Sequence, residues 1–343
     1  MKWSPVYSAD LKRENNSLQP TFMRGSRILI TGGLGLIGSA IVDLILWLNK
    51  NERYGCQISI ADINRTRFSD LYQDVDELAF IQYDANKPIN FSIDFDYIIH
   101  CAGLASPQLY VTAPVETMTT NISGVSNLLE ACKNKPVKKF IYISSSEVYG
   151  QQQTASPYRE DLVSSLSISV LRSSYSIAKM ASEMLCKSYA SEYGVPAISV
   201  RPGHIFGPAV SPNDKRIASL CLKWAAAGQD IVLNSAGTQR RSFCYSIDCA
   251  AAIIHLLEAG NPGEAYNIGA KETTTILEMA SYAAKAGGVS LTSRPPSEDE
   301  KEQANPMNNS ALDSHKLIET GFSFQFGCEE AVDHCVTTLK SLG

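Results

Sequence analysis

The sequence predicts an α/β fold built on a doubly wound parallel sheet with a smaller C-terminal lobe, and three observations carry that prediction. From residue 27 to residue 202, short β-branched runs alternate with longer stretches of helical periodicity. The runs are apolar on both faces, as strands are when right-handed crossovers lay helices on each side of a sheet. Beyond Pro202 the alternation stops and loop-like and helical segments interleave. A second, smaller unit is therefore expected at the carboxyl ends of the strands, where open α/β sheets bind ligands.

Residues 1–24 are polar and read as an N-terminal extension. "RILIT" at 27–31 predicts the first strand, and "LIGSAIVDLILWLNK" behind it has the length and apolar spacing of a buried helix. "QISIAD" (57–62), "AFIQYD" (79–84), "DYIIHCA" (96–102), "KFIYISS" (139–145) and "AISVRP" (197–202) continue the strands, with helices expected at 115–133 and 175–193. Further on, "GHIFGPAVSPNDKR" reads as loop, "IASLCLKWAAAGQ" and "DCAAAIIHLLEAG" as helices, and "SRPPSEDEKEQANP" (293–306) as a surface loop. Residues 25–202, with returning segments near 237–270, are assigned to the sheet unit, and 203–236 with 271–343 to the lobe.

Composition removes several classes of function. The 343 residues carry 30 Lys plus Arg against 35 Asp plus Glu, a net charge of -5, with no basic block to neutralise a run of phosphates, so nucleic acid is not an expected partner. Nine cysteines without a CxxC pair read as free thiols in a reducing compartment, with no metal site among them. The N-terminus lacks the apolar core of a secretory signal, and the most apolar stretch, "IVDLILWL", is too short to span a bilayer. A cytoplasmic protein without membrane partners is expected.

"ILITGGLGLIGSAIVD" puts Gly32, Gly35 and Gly38 at the turn between the first strand and first helix. Such a turn lets backbone approach a pyrophosphate, whose charge is favoured by the N–H groups of the helix start, those of Leu36 and Ile37 included. Asp62 ends the second strand, where a carboxylate accepts hydrogen bonds from the two ribose hydroxyls of an adenosine and repels a 2′-phosphate. NAD is therefore expected over NADP in a Rossmann unit. Asp84 is placed near the adenine amino group, and Ala85, Ala102, Gly103, Ser144 and His204, near strand ends, complete the cofactor candidates. His204 is read either as a neighbour of substrate or nicotinamide or as a packing histidine.

Tyr175 and Lys179 in "SSYSIAKMASE" are four residues apart on a predicted helix, hence one turn apart on one face. A free phenol has a pKa of about 10, and a neighbouring ammonium stabilises its phenolate. The pair forms a candidate general base.

Eight ordered motifs now give a resemblance. "TGGLGLIG", "HCAG", "NISG", "SSSEVYG", "YSIAK", "RPGHIFGP", "RRSFCYSID" and "YNIG" follow the order seen in extended short-chain dehydrogenases/reductases acting on nucleotide sugars, from residue 25 to the C-terminus. The resemblance implies that NAD is reduced and reoxidised within one cycle. Tyr175 would take the proton of a sugar hydroxyl, usually at C4, with Ser145 or Ser146 sharing the hydrogen bond. Lys179 would hold the nicotinamide ribose and tune Tyr175. Asn121 matches the family's structural asparagine, Arg241 an arginine that grips the diphosphate, and Ser106 lies in a substrate-contacting loop. Helices 115–133 and 175–193 often pair across a homodimer in this family.

The resemblance gives Glu147 one of two roles: a base removing the C5 proton in a 4,6-dehydratase, or a group beside the departing carboxylate in a decarboxylase. Typical dehydratases of dTDP-glucose carry Asp-Glu where this chain has Ser146-Glu147, which is similar to UDP-glucuronate decarboxylases, as is "GLASPQLYVTAPVETMTTNISG" with its Tyr110. His204 departs from the Asn usual in decarboxylases, and Asp313 stands about where some carry a basic residue. GDP-mannose 4,6-dehydratases also pair a hydroxyl residue with Glu, so a dehydratase, or a 4-epimerase, is the chemical alternative. A non-catalytic NAD sensor is the alternative of another class, and the presence of both Tyr175 and Lys179 argues against it.

Overall fold

A computed structural model describes residues 3–72, 75–152, 156–295 and 308–342. In the first half run α1 (Pro5–Leu18), β1 (Arg27–Thr31), α2 (Leu36–Glu52), β2 (Gln57–Asp62), α3 (Arg65–Tyr72), β3 (Leu78–Gln82), β4 (Tyr97–His100), α4 (Leu109–Thr112), α5 (Pro114–Cys132) and β5 (Lys139–Ile143). The second half adds α6 (Ser173–Tyr193), β6 (Ala197–Pro202), β7 (His204–Phe206), α7 (Ile217–Ala226), β8 (Ile231–Leu233), β9 (Arg240–Arg241), β10 (Phe243–Tyr245), α8 (Ser246–Ala259) and β11 (Ala265–Ile268). Helices α9 (Ile276–Gly287), α10 (His315–Glu319) and α11 (Cys328–Leu342) follow.

Seven strands form one parallel sheet in the order β11-β6-β5-β4-β1-β2-β3. The order reverses between β1 and β4, which opens a crevice at the carboxyl ends of these two strands. Strands β4 and β5 are buried along their whole length, as the apolar runs predicted. On one face α5 packs on α6 over a core containing Leu29, Ile98, Val125, Leu128, Phe140 and Tyr142. On the other face α2 packs on α8, whose residues are buried on nearly every side because α1 and strands β5, β7 and β10 also pack against it. Among the described residues no helix is long and apolar enough to cross a membrane.

Three segments differ from expectation. The polar N-terminal extension is in large part a helix: Ser4 caps α1 by accepting from the Tyr7 N–H at 3.0 Å, Pro5 starts it, and Tyr7 and Leu11 are buried against α2, α8 and α11. Full burial of Leu11 alone contributes roughly 2 kcal/mol. The segment "GHIFGP" is not all loop, because His204–Phe206 pairs parallel with Phe243–Tyr245. Three residues are too few to show a strand period. Of the surface loop expected at 293–306, residues 296–306 lie outside the described residues, while Leu291–Ser293 forms a short strand parallel to β8.

Candidate active site

The turn after β1 brings backbone to the sheet's crevice. Gly32 takes φ 64°, and a Cβ there would lie 2.6 Å from the Ala102 nitrogen, so only glycine lets the turn close onto the end of β4. Gly38 faces the same turn, where a Cβ would lie 2.7 Å from the Gly33 Cα. Gly35 is the exposed N-cap of α2 and contributes no side-chain cap, which leaves the first N–H groups of a 17-residue helix, Leu36 and Ile37 among them, without a capping side chain.

Asp62 is half-buried at the end of β2, where its Oδ1 accepts the Asn64 N–H at 3.1 Å. Arg65, which follows it, lies over the Phe80 ring at 5.2 Å. Asp84 accepts the Asn86 N–H at 3.0 Å, and Lys87 stands 3.6 Å from it. Ala85 is buried beneath that turn. Ala102 donates its N–H to Thr31 Oγ1 at 3.3 Å, and Gly103 abuts Asn121, where a Cβ would meet Asn121 Oδ1 at 2.6 Å. Asn121 is buried; its Nδ2 donates to Thr117 O at 2.8 Å and Leu104 O at 3.3 Å, and its Oδ1 has no partner among the described residues.

Lys179 and Tyr175 project from the first turns of α6 into the crevice beside β5. Lys179 Nζ donates to the Ile143 carbonyl at 2.7 Å and lies 5.6 Å from the Tyr175 ring centroid. Burial pulls its pKa down to about 8. Burial, followed by the Glu147 carboxylate, pushes the Tyr175 phenol up to about 12, against hydrogen bonds from Ser145 and Tyr110 that favour the phenolate. The structure thus brings the candidate pair together in one crevice, with burial opposing the phenolate.

The serines after β5 have separate surroundings. Ser145 Oγ accepts the Glu147 N–H at 3.2 Å and starts the 3-10 turn Ser146–Tyr149, in which Ser146 is buried. Ser144, a cofactor candidate, donates its hydroxyl to Glu183, itself paired with Arg201 at 2.7 Å. Ser106 is exposed on the loop before α4.

Glu147 is held by a residue the sequence reading passed over. Arg172 Nη1 donates to Glu147 Oε2 at 3.1 Å and Nη2 to Oε1 at 3.2 Å. Tyr110, noticed only as a motif residue, stacks on Tyr175 with centroids 4.2 Å apart and planes 7° apart. Arg241 is buried, and burial pulls its pKa down to about 10, still cationic near neutrality; the charge of Glu147 acts on it in the opposite sense. His204 sits edge-on to Phe243, and burial, then Arg241 and Arg216, pushes it down to about 3, so its imidazole is neutral. Asp313 lies away from this group, its carbonyl accepting Asn267 Nδ2 at 3.0 Å.

The family model that matches residues 28–269 is that of the NAD dependent epimerase/dehydratase family. The chain belongs to this family. It is an NAD-dependent enzyme. UDP-glucuronic acid decarboxylase 6 of Arabidopsis thaliana is 32% identical over 262 residues, which cover 76% of this chain and 74% of that protein. The UDP-N-acetylglucosamine 4-epimerase from Methanobrevibacter ruminantium, solved with UDP-N-acetylmuramic acid, is 25% identical and superposes with a TM-score of 0.79 over 93% of this chain and 99% of its own. The UDP-glucuronic acid 4-epimerase from Bacillus cereus, solved with UDP-glucuronic acid and NAD, is 25% identical with a TM-score of 0.77, covering 92% of this chain and 100% of its own.

The residues of this family member fit NAD. The glycine turn leaves no room for side chains where a pyrophosphate would lie against the start of α2. At the other end of the crevice the buried Asn121 Oδ1 and His204 Nδ1 lack partners among the described residues, as expected of polar atoms that await a ligand. No group of His, Cys, Asp and Glu among the described residues is placed to hold a metal ion.

Proposed function

We propose that the protein is a nucleotide-sugar decarboxylase of the UDP-glucuronate type, which oxidises C4, releases C6 as carbon dioxide and restores the hydrogen at C4. The observation that carries this reading is that Glu147 stands on the Tyr175 wall next to the buried Ser146 rather than next to a second acid. A dehydratase of the dTDP-glucose type protonates the departing hydroxyl with the Asp beside its Glu, where this chain has Ser146. A C6 carboxylate beside a C4 ketone is a β-keto acid and needs no such donor. The decarboxylase relative and the structural neighbour that holds UDP-glucuronic acid with NAD support the same substrate class.

When bound, NAD supplies a two-electron acceptor and later donor for C4 and, in its oxidised form, a positive charge. Asp62 would hold the adenosine ribose, and the glycine turn the pyrophosphate. Lys179, fixed by the Ile143 carbonyl, would hold the second ribose. Tyr175 takes the proton of the C4 hydroxyl while the Ser145 hydroxyl shares that hydrogen bond. Burial and Glu147 hold the phenol in its protonated form, and positive charge beside it favours the phenolate. Arg241 would clamp the diphosphate with a fork that suits phosphate oxygens. The C5–C6 bond then breaks: its electron pair passes to C5 and the C4 oxygen as an enolate, carbon dioxide leaves, and a proton is added at C5. Tyr175 returns its proton to the C4 oxygen at the end.

The same reading assigns residues 203–236 and 271–343 to the nucleotide-sugar lobe. It also makes the enzyme a cytoplasmic homodimer. Val115, Met180 and Met184 stand 67%, 39% and 63% exposed on α5 and α6, which supports an interface there, and all nine cysteines are free thiols, which suits a reducing compartment. Incubation with UDP-glucuronate, read by mass, tests the reaction. A UDP-pentose and carbon dioxide are expected; an unchanged mass with an inverted C4 would make the enzyme an epimerase, and an untouched substrate would remove the reading.

A further inference from the structure

We infer that Arg172 is a positioning residue for the step after C4 oxidation, holding the Glu147 carboxylate on the wall that carries Tyr175. The inference rests on the decarboxylase reading. Arg172 is the residue before α6, three positions ahead of Tyr175, so the start of one helix presents both side chains to one side of the crevice. Its two Nη atoms engage the two carboxylate oxygens of Glu147 end-on, at 3.1 and 3.2 Å, with Ser176 Oγ 3.5 Å from Oε2. Two parallel bonds fix the carboxylate plane as well as its position.

The pair is shielded but reachable, with side chains 17% and 16% exposed. The guanidinium carbon lies 5.7 Å from the Tyr110 ring centroid, and Tyr110 stacks on Tyr175, whose ring lies 5.6 Å from the Lys179 ammonium. Cation, ring, ring and cation thus make one packed wall, and Glu147 is fastened to its end. Arg172 Nε is buried and has no hydrogen-bond partner among the described residues. The hydrogen bonds this guanidinium makes to a carboxylate therefore run through its Nη fork.

The reaction has a reason to need this. Glu147 acts electrostatically on Arg241, the guanidinium assigned to the diphosphate. A Glu147 released from Arg172 would swing toward that cation and leave the C6 carboxylate. Held in place, its charge disfavours the C6 carboxylate relative to neutral carbon dioxide, while the C5–C6 electron pair moves into the enolate.

The test compares Arg172→Met and Arg172→Lys with the parent, each as the full chain loaded with NAD and given UDP-glucuronate. Reduced nicotinamide is read by absorbance and carbon dioxide by trapping. Arg172→Met is expected to accumulate reduced nicotinamide and 4-keto sugar, to release carbon dioxide about 30-fold more slowly, and to keep KM within about threefold. Arg172→Lys keeps the charge but not the fork and recovers less than about a third of the loss; it also serves alone if Arg172→Met fails to fold. Carbon dioxide release at the parental rate, or a raised KM with unchanged kcat, overturns the positioning role. A parent enzyme that reduces its nicotinamide but releases no carbon dioxide strikes the decarboxylase reading first, and the role of Arg172 with it.

Discussion

Asp43 lies inside α2 among buried apolar residues, and replacing it with asparagine isolates one proton in the stability of the fold. Its Oδ2 accepts the Tyr7 hydroxyl of α1 at 3.0 Å, so the carboxyl joins the N-terminal helix to the sheet unit. Burial pushes it from 3.8 up to about 7, against the opposing hydrogen bond from Tyr7. In the unfolded chain Asp43 ionises near pH 4; in the native protein it keeps its proton to about pH 7. Between those values the native state holds a proton that the unfolded state has lost. Stability from this group is therefore complete below pH 4 and declines as pH rises to 7. About three pKa units at about 1.4 kcal/mol each make the decline on the order of 4 kcal/mol.

Urea unfolding at pH 5, 6, 7 and 8 measures it. Relative to Asp43→Asn, which keeps an acceptor for Tyr7 and carries no charge, the parent should lose stability as pH rises across this window. Burial also raises Asp10, Glu14 and Asp248 and lowers His100 and His204, groups that tilt both curves alike, so the difference between the two proteins is what reads Asp43. Parallel curves for the two proteins would refute the burial argument.

Four further outcomes follow from the site. Tyr175→Phe should lower kcat about 10³-fold and leave NAD affinity within twofold or so, by activity and by titration of the cofactor; full activity would remove the phenol from the mechanism. Burial sets Lys179 to about 8, so kcat/KM should fall above about pH 8 as the ammonium is lost, and Lys179→Arg should move that limb upward. A flat profile to pH 10 would exclude Lys179 as the charge that matters. Asp62→Ala should weaken NAD about tenfold or more, the worth of hydrogen bonds to a charged group, and narrow the preference over NADP. Arg241→Ala should raise KM for the nucleotide sugar about 30-fold in initial-rate assays, whereas an unchanged KM would clear it of diphosphate binding.

The strands and helices of the sheet unit were legible because burial on both faces leaves little choice of residue: "RILIT" and "QISIAD" match β1 and β2 end for end. The N-terminal helix was not, because its inward face is polar. Asp10 is buried against Tyr245 and His334, and Glu14 against Asp248, partners more than 200 residues away that no local period reveals. The shared face of Tyr175 and Lys179 on α6 was legible through their spacing, yet the same helical rule applied three residues backward reaches Arg172. It was missed because an arginine at a helix start is unremarkable until Glu147 is folded onto it. Tyr110 was legible as a motif letter but not as the ring on Tyr175, since the two are brought together only by the loop before α4.

The charges of the crevice run against those of the protein. The chain carries a net -5, yet Lys179, Arg172, Arg216 and Arg241 gather around one acid of the reacting wall, Glu147, while His204 is kept neutral by burial and by Arg241 and Arg216. Such a local excess draws in a dianionic diphosphate, because charges beyond about 8 Å are largely screened at physiological salt. On the proposed reading it would also hold a carboxylate too well: a uronate stabilised by four cations has little reason to part with carbon dioxide. Two devices offset that. Arg216 is paired with Asp214 at 2.6 Å, and Arg172 with Glu147. On the decarboxylase reading proposed above, positive charge would thereby be left to the diphosphate end and the nicotinamide end, and negative charge set where the carboxylate would leave.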